Sequence, residues 1–289
     1  MPPSDRLEGP GDAGTWLVIP YYDGDTGTER PVPPGKAIPY LCRSIIVDGQ
    51  AGAFTLRRGA PMGVTVDVAN WGAGALTALA QVRVWWADPT TVFAKAHPFG
   101  QAVVPVPPGG EAVRSGVMRG TIPLSAPPHV CLLAHVSAPL DGAGKTAVPA
   151  PALDRRWAQA NLTEIVTAGG PVRIPFAAGN PFDRAATARF GLRPLTGTEL
   201  ELMGQMTGRD SRTLSAPLDV TVESPAGDAG AALSLDPGSQ VPLTLLATLP
   251  QGVTSGTGIH MVLTQTIVPD DHDRQPLEGS LGVRFLAPS

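Results

Sequence analysis

Short segments in which apolar and polar residues alternate, each ended by glycine or proline, constrain this chain more than any other feature. Residues 63–70 place Val64, Val66 and Val68 on one face, and residues 80–87 repeat the pattern. Alternation with a period of two is typical of a half-buried strand. With 34 glycines and 32 prolines among 289 residues, few stretches can form a helix. The pattern predicts an all-β fold and excludes a coiled coil.

The remaining segments add further short strands to this plan. Residues 129–136 are apolar on both faces, which predicts a central strand. Two short segments, 153–161 and 199–206, are the candidates for a helix. The other predicted strands of the first half are 101–106, 112–122 and one near 162–167.

The spacing of apolar positions repeats along the chain. Val66 is followed sixteen residues later by Val82, and Ile174 is followed sixteen residues later by Phe190. His129 and His260 begin corresponding strands, each after a Pro-Gly-led strand. The shared order of these matches predicts two copies of one module. We expect an N-terminal arm at residues 1–52, a first β-sandwich at 53–168 and a second at 169–289, with a boundary near Gly169-Gly170.

About seven short strands per ~110 residues, with frequent turns, are typical of an immunoglobulin-like sandwich. We therefore predict two tandem immunoglobulin-like β-sandwiches with an extended N-terminal arm. Trp85 or Trp86 takes the place of the core tryptophan of such a fold. Cys131 has no partner cysteine on strand 63–70, so the usual inter-sheet disulfide is missing. Cys42 and Cys131 are either two free buried thiols or one bridge.

Four segments of the first half carry a family resemblance: VDVANWG, VRVWWADP, HVCLLAHV and RRWAQANLTEI. Together they resemble bacterial adhesion-related immunoglobulin-like domains of the CARDB type. The similarity covers about residues 60–168, and the second half shares only the strand plan. It implies a non-catalytic spacer, adhesion or assembly module, because the motifs record packing positions rather than a ligand site.

Charge and hydropathy exclude several partners. The net charge is −4 and the pI about 5.7, which argues against a nucleic-acid binder. No run approaches the ~18 apolar residues of a spanning helix, so no membrane insertion is expected. Residues 1–14 have no leader pattern, from which we expect a cytoplasmic or particle-associated protein, released, if at all, without a leader.

Acidic residues suggest two weak metal sites. Asp270, Asp271 and Asp273 surround His272, and several carboxylates can hold a divalent cation. A solvated hairpin tip is the favoured interpretation, because aspartate also favours turns. Residues 23–27 resemble the start of a calcium loop, but the later ligand positions are wrong. We predict neither a metal nor another cofactor.

The sequence offers no pattern for catalysis. It contains no Gly-x-Ser-x-Gly elbow and no glycine-rich phosphate loop that opens a helix. Cys131 lies in an apolar strand, where a thiol is inert. The chain is therefore predicted not to be an enzyme.

The arm carries apolar residues that neither module requires. We predict a partner-binding role for Tyr22, Ile38, Tyr40 and Trp71, with the arm adding an edge strand either to its own sandwich or to that of a neighbour. Low charge and an excess of arginine over lysine, 18 to 3, favour a structural subunit of a bacterial or phage particle, fibre or surface assembly. Its expected partners are other protein subunits, identical or different.

A carbohydrate- or surface-ligand-binding adhesion module is the alternative. A glycan could stack on Trp16, on Trp71, or on the exposed one of Trp85 and Trp86.

Overall fold

The computed structural model describes residues 9–11, 13–33, 35–51, 58–90, 92–93, 95–127, 129–142, 149–166, 172–207, 219–224, 227–228, 232–248, 258–270 and 276–286. Strands dominate these ranges, which confirms the all-β prediction. The first ten strands are β1 Leu17–Val18, β2 Ile45–Val47, β3 Gln50–Ala51, β4 Pro61–Asn70, β5 Ala78–Ala87, β6 His97–Val106, β7 Val113–Arg114, β8 Met118–Thr121, β9 Cys131–Ser137 and β10 Trp157–Val166. They are followed by β11 Val172–Gly179, β12 Ala186–Pro194, helix α1 Gly197–Thr207, β13 Asp219–Ser224, β14 Gly227–Asp228, β15 Ala232–Leu235, β16 Gln240–Thr248, β17 Gly258–Pro269 and β18 Leu277–Leu286.

Two of the predicted elements need correction. The single strand at 112–122 is divided into β7 and β8, because Ser115 turns the chain and its hydroxyl accepts a hydrogen bond from Val66 N at 3.0 Å. The segment 153–161 is not helical: it makes a turn and enters β10 at Trp157. The helix predicted at 199–206 is present as α1. At 11 residues α1 is too short to cross a membrane, and no other helix within the described ranges is long and apolar enough to do so.

The strands form three sheets. An eight-stranded sheet has the order β15-β12-β17-β18-β10-β9-β5-β6 and runs through both halves of the chain. β10 and β18 join the halves as a parallel pair, from Leu162 opposite Gly282 to Val166 opposite Leu286. A six-stranded sheet is built around β4, and a four-stranded sheet has the order β11-β16-β13-β14.

Strand order corresponds on the two sides of the β10–β18 pair. Outward from β10 the order is β9, β5, β6, and outward from β18 it is β17, β12, β15. Among these strands, the repeated spacing aligns β5 with β12 through Val82 and Phe190, and β9 with β17 through His129 and His260. The boundary near Gly169-Gly170 lies outside the described residues, so the division of the chain into two modules stays a prediction.

The smaller sheets cover opposite faces of the long sheet. The side chains of β9, which point alternately to the two faces, show this. Leu132, Ala134 and Val136 belong to the first core, beneath the six-stranded sheet. Cys131 and Leu133 point the other way and belong to the second core, beneath the four-stranded sheet. We call these the front and back faces. Because β9 lies in the middle of the long sheet, both of its faces are buried, and this explains why its sequence is apolar on both faces.

The arm docks on its own chain. β1 pairs with β4 at Ala69–Asn70, and β2 pairs with β4 at Val64–Val66. Between these strands the arm crosses the front face of the second half. There Ile38, Tyr40 and Leu41 pack on α1 and β17, in a third buried cluster with Leu195, Met203 and Val262. The Tyr40 ring lies directly over Gly282, where a Cβ atom would overlap it.

Candidate functional site

A cavity of about 370 Å³ lies where the arm crosses the front face of the second half. Its volume falls at the low end of the range typical of ligand pockets, ~300–1,000 Å³. Most of its wall is apolar, and its polar groups come from the strands and α1. The lining residues are Pro31, Val32, Pro39, Pro151, Ala152, Arg193, Glu199, Val262, Thr264, Glu278, Gly279 and Ser280.

An ion pair between β12 and α1 forms one wall of the cavity. Arg193 donates from Nη1 to Glu199 Oε2 at 2.7 Å and from Nη2 to Oε1 at 2.8 Å. Glu199 Oε2 also accepts from Thr196 N at 2.8 Å, while Glu199 N donates to Thr196 Oγ1 at 3.3 Å. These reciprocal bonds are a capping box at the start of α1. The Thr196-x-x-Glu199 spacing could have identified this corner from the sequence.

The environment of this pair fixes its charge. Burial raises the pKa of Glu199, but the hydrogen bonds from Arg193 and Thr196 outweigh burial and leave that pKa below its ordinary value. The bond to Glu199 raises the pKa of Arg193, and the nearby Glu278 carboxylate raises it further. Both partners are therefore ionised at neutral pH.

The resemblance to a calcium loop at residues 23–27 has a structural explanation. Asp25 is buried, and its carboxylate accepts hydrogen bonds from Tyr21 N at 2.9 Å and Gly27 N at 2.8 Å. Both its oxygens also accept from Arg30, at 3.1 and 2.9 Å. The carboxylate closes a turn of the arm.

The tryptophans considered for glycan stacking contact their own chain. The Trp16 ring lies 3.8 Å from the Arg155 guanidinium carbon, and its Nε1 donates to Thr26 O at 2.8 Å. Trp71 Nε1 donates to Asp25 O at 3.0 Å. The ring of Trp85 is 5.4 Å from that of Trp157. Trp86 is buried and stacks on His97 at 4.2 Å.

The four residues predicted to bind a partner do not form one surface. Ile38 and Tyr40 are completely buried in their own chain, so their prediction as partner-facing residues is corrected. The reason is the apolar front face of the second half, which the arm covers. Tyr22 is half-buried and donates from its hydroxyl to Glu29 at 2.9 Å. Trp71 is half-buried beside Gly110.

The acidic cluster at the β17–β18 hairpin is described only in part. Asp270 is exposed, and its backbone N donates to Ala185 O at 3.2 Å. Asp271 and Asp273 lie outside the described residues. In the part of the chain that is described, no group of three or more His, Cys, Asp or Glu side chains is placed to hold a metal ion.

The two cysteines are buried, and His129 and His135 are half-buried. Cys42 and Cys131 are both free, and burial raises the pKa of each thiol to about 12. Burial lowers the pKa of His129 and of His135 to about 4. At neutral pH these thiols are protonated and these imidazoles are uncharged.

Apolar side chains are exposed on the edge hairpin of the long sheet. Leu79 on β5 is 67% exposed and Val103 on β6 is 65% exposed. They lie on the back face, where Leu79 is opposite Pro105 and Val103 is opposite Gln81. We call this surface, formed by Leu79, Gln81, Val103 and Pro105, the edge patch. Within the described residues β6 pairs with β5 alone.

Known proteins resemble this chain only weakly. No family model matches it, and no curated protein matches it significantly. Similar solved structures include the E. coli chaperone DraB, at 10% identity over 44% of this chain and 52% of that chain, with a TM-score of 0.28. CfaE, the adhesive subunit of the CFA/I fimbria of enterotoxigenic E. coli, shows 10% identity over 96% of this chain and 94% of that chain, with a TM-score of 0.29. The S. aureus collagen adhesin shows 10% identity over 84% and 91%, with a TM-score of 0.22.

This chain therefore spans about half the length of DraB. Likenesses at these TM-scores carry no argument about function. The CARDB-type resemblance has no family match and stays a prediction.

Proposed function

We propose that this protein is a non-catalytic subunit of a bacterial or phage particle, fibre or surface assembly, and that it contacts a second copy of itself through the edge patch. The supporting observation is the exposure of Leu79 on β5 and of Val103 on the neighbouring edge strand β6. Exposed apolar groups beside unpaired strand edges favour association with another chain.

The second half supplies a comparison within the same molecule. The strands corresponding to β5 and β6 are β12 and β15, and their uncovered face carries Thr187, Arg189 and Ser234. Those three side chains are polar, whereas the edge patch exposes the apolar side chains of Leu79 and Val103. The difference between the two uncovered faces supports a specific use for the edge patch.

A second copy is the occupant that the fold itself favours. The long sheet is already continuous across the two halves of the chain, because β10 of the first half pairs with β18 of the second. β6 has ten residues, whereas β15 at the opposite end has four. β8 packs closely on β6 at Phe99 and Gly100, so the part of β6 that we expect to meet a neighbour is the part around Val103. The buried thiols stay protonated and the half-buried histidines stay uncharged at neutral pH, so neither group is an activated nucleophile, which is consistent with a non-catalytic role.

Light scattering of the purified chain at increasing concentration tests the proposal. We expect a mass that rises to at least twice 29.8 kDa, and a return to the monomer mass in the double variant Leu79→Ser, Val103→Ser. Leu140→Ser is the matched control, because Leu140 is as exposed but lies in a separate turn. A wild-type chain that stays monomeric throughout would overturn the proposed contact, as would self-association that the double variant retains.

A further inference from the structure

Arg193 has an unused edge on the cavity between the arm and the second half. A guanidinium carries five N–H donors. Nη1 donates to Glu199 and to Pro194 O, and Nη2 donates to Glu199. In the described part of the chain, no hydrogen bond uses the Nε–H or the second Nη2–H, which lie side by side. The Arg193 side chain is 45% exposed, while that of Glu199 is 2% exposed.

Two parallel donors on one guanidinium edge match the two oxygens of a carboxylate. Glu199 holds the opposite edge and the backbone supports it, so the fork is already oriented before a ligand arrives. Orientation in advance lowers the entropy lost on binding. The cavity thus presents a ready carboxylate receptor.

The charges around the cavity select against a simple anion. Arg193 contributes one positive charge, and Glu199 and Glu278 contribute two negative charges. A ligand with only a carboxylate would add a third negative charge. A ligand that also carries an ammonium group can place it near Glu278, whose carboxylate is exposed. The balance favours a molecule with one charge of each sign.

The rest of the cavity wall indicates the chemical character of the uncharged part of the ligand. Pro31, Val32, Pro39, Pro151 and Val262 present apolar surface and no side-chain hydrogen-bond donor. Burying apolar ligand surface against them gains roughly 25 cal/mol per Å². A volume of about 370 Å³ admits a single small molecule rather than a folded segment. An aliphatic body suits this wall.

We infer that the cavity binds a small zwitterion with an apolar body, of the class of a free α-amino acid with an aliphatic side chain. Its carboxylate lies on the open edge of Arg193, its ammonium group lies near Glu278, and its side chain contacts the proline-rich wall. This site is on the front face, away from the edge patch on the back face, so the inference stands independently of self-association.

Isothermal titration calorimetry of the full chain with three probes tests the inference. The probes are L-leucine, 4-methylpentanoate, which lacks the ammonium group, and 3-methylbutan-1-amine, which lacks the carboxylate. We expect leucine to bind and each analogue to bind at least about tenfold more weakly, since each leaves one charge of the site unpaired. Two results would overturn the inference. One is the absence of leucine binding at a leucine concentration of roughly 10 mM, which would detect even a millimolar dissociation constant. The other is equal affinity for leucine and 4-methylpentanoate.

A charge variant on the rim adds a second criterion. Glu278→Gln should weaken leucine binding about tenfold and leave 4-methylpentanoate binding unchanged or stronger. Glu111→Gln is the matched control, because Glu111 is an exposed carboxylate outside the cavity lining. Equal leucine affinity in wild type and Glu278→Gln would rule out the assigned position of the ammonium group.

Discussion

Two arginines anchor the N-terminal arm, and each makes contacts that a lysine could not reproduce. Arg30 reaches both oxygens of Asp25. Arg155 reaches both oxygens of Asp141, donates to Leu17 O at 2.7 Å and stacks on Trp16. The flat guanidinium suits a bidentate and stacked site of this kind. Although Arg155 is close, burial is the stronger influence and raises the pKa of Asp141.

Arg155→Lys should therefore destabilise the protein. One ammonium group cannot hold both Asp141 oxygens and the Leu17 carbonyl, so we expect a loss of about 1–3 kcal/mol in the free energy of unfolding. Urea denaturation measures it. Arg173→Lys, in an exposed pair with Glu223, is the control and should change little. Equal effects of the two substitutions would show that the arm is not anchored in this way.

Two histidines make stability depend on pH. Burial, with smaller contributions from Arg58 and Arg156 respectively, lowers the pKa of His129 and of His135 to about 4. The folded chain resists protonation that the unfolded chain accepts below about pH 6.5. Stability is therefore complete above pH 6.5 and falls as the pH drops towards 4. We expect a loss of roughly 1 kcal/mol for each histidine between pH 7 and pH 5, after allowing for partial exposure.

Urea denaturation at pH 7 and at pH 5 checks this dependence. The double variant His129→Gln, His135→Gln should lose less stability over that interval than the wild type. His97→Gln, at an exposed position, is the control and should follow the wild type. A wild-type chain that is as stable at pH 5 as at pH 7 would contradict the assignment.

Among the elements, α1 depends on its first turn. Thr196 accepts from Glu199 N, and its own N donates to the Glu199 carboxylate. Thr196→Ala removes the hydroxyl from this capping box, and we expect a loss of about 1 kcal/mol in the free energy of unfolding. Thr198→Ala, two residues along on the exposed side of the turn, should have a smaller effect. Chemical denaturation of both variants measures this difference. A larger loss in the free energy of unfolding for Thr198→Ala than for Thr196→Ala would contradict the role of the capping box.

The strands with a clear apolar alternation were predictable from the sequence, and the cavity was not. β4 and β5 follow the period-two pattern that favours them, because one face of each packs on a core. The segment 153–161 has helix-forming residues, but the antiparallel pairing of Trp157–Asn161 with β9 overrides that local preference. The cavity draws on separate segments of the chain, which only the path of the arm brings together.

At the scale of the whole molecule, the two halves share a core. Leu133 and Trp157 of the first half pack with Ile174, Leu245 and Val283 of the second. Because the β10–β18 pair also links the halves, we expect one cooperative unfolding transition in calorimetry.

Leu245→Ala in the second core and Val82→Ala in the first should each lower the midpoint temperature of that single transition by several degrees. The reason is that large-to-small substitutions in a core reduce the free energy of unfolding by about 1–5 kcal/mol. Leu79→Ala, on the exposed edge patch, is the control and should leave the transition nearly unchanged. Two resolved transitions, each sensitive to only one of the core substitutions, would show that the halves unfold separately.

The parallel pairing of β10 with β18 has a geometric consequence. Corresponding strands that run side by side in one direction, with matching orders outward, are related by a two-fold rotation axis parallel to the strands. Such a rotation turns the sheet over, which explains why the two smaller sheets cover opposite faces. It also makes the two uncovered faces equivalent by symmetry. The arm and α1 lie against one of them, and by doing so they break the symmetry and leave Leu79 and Val103 open on the other.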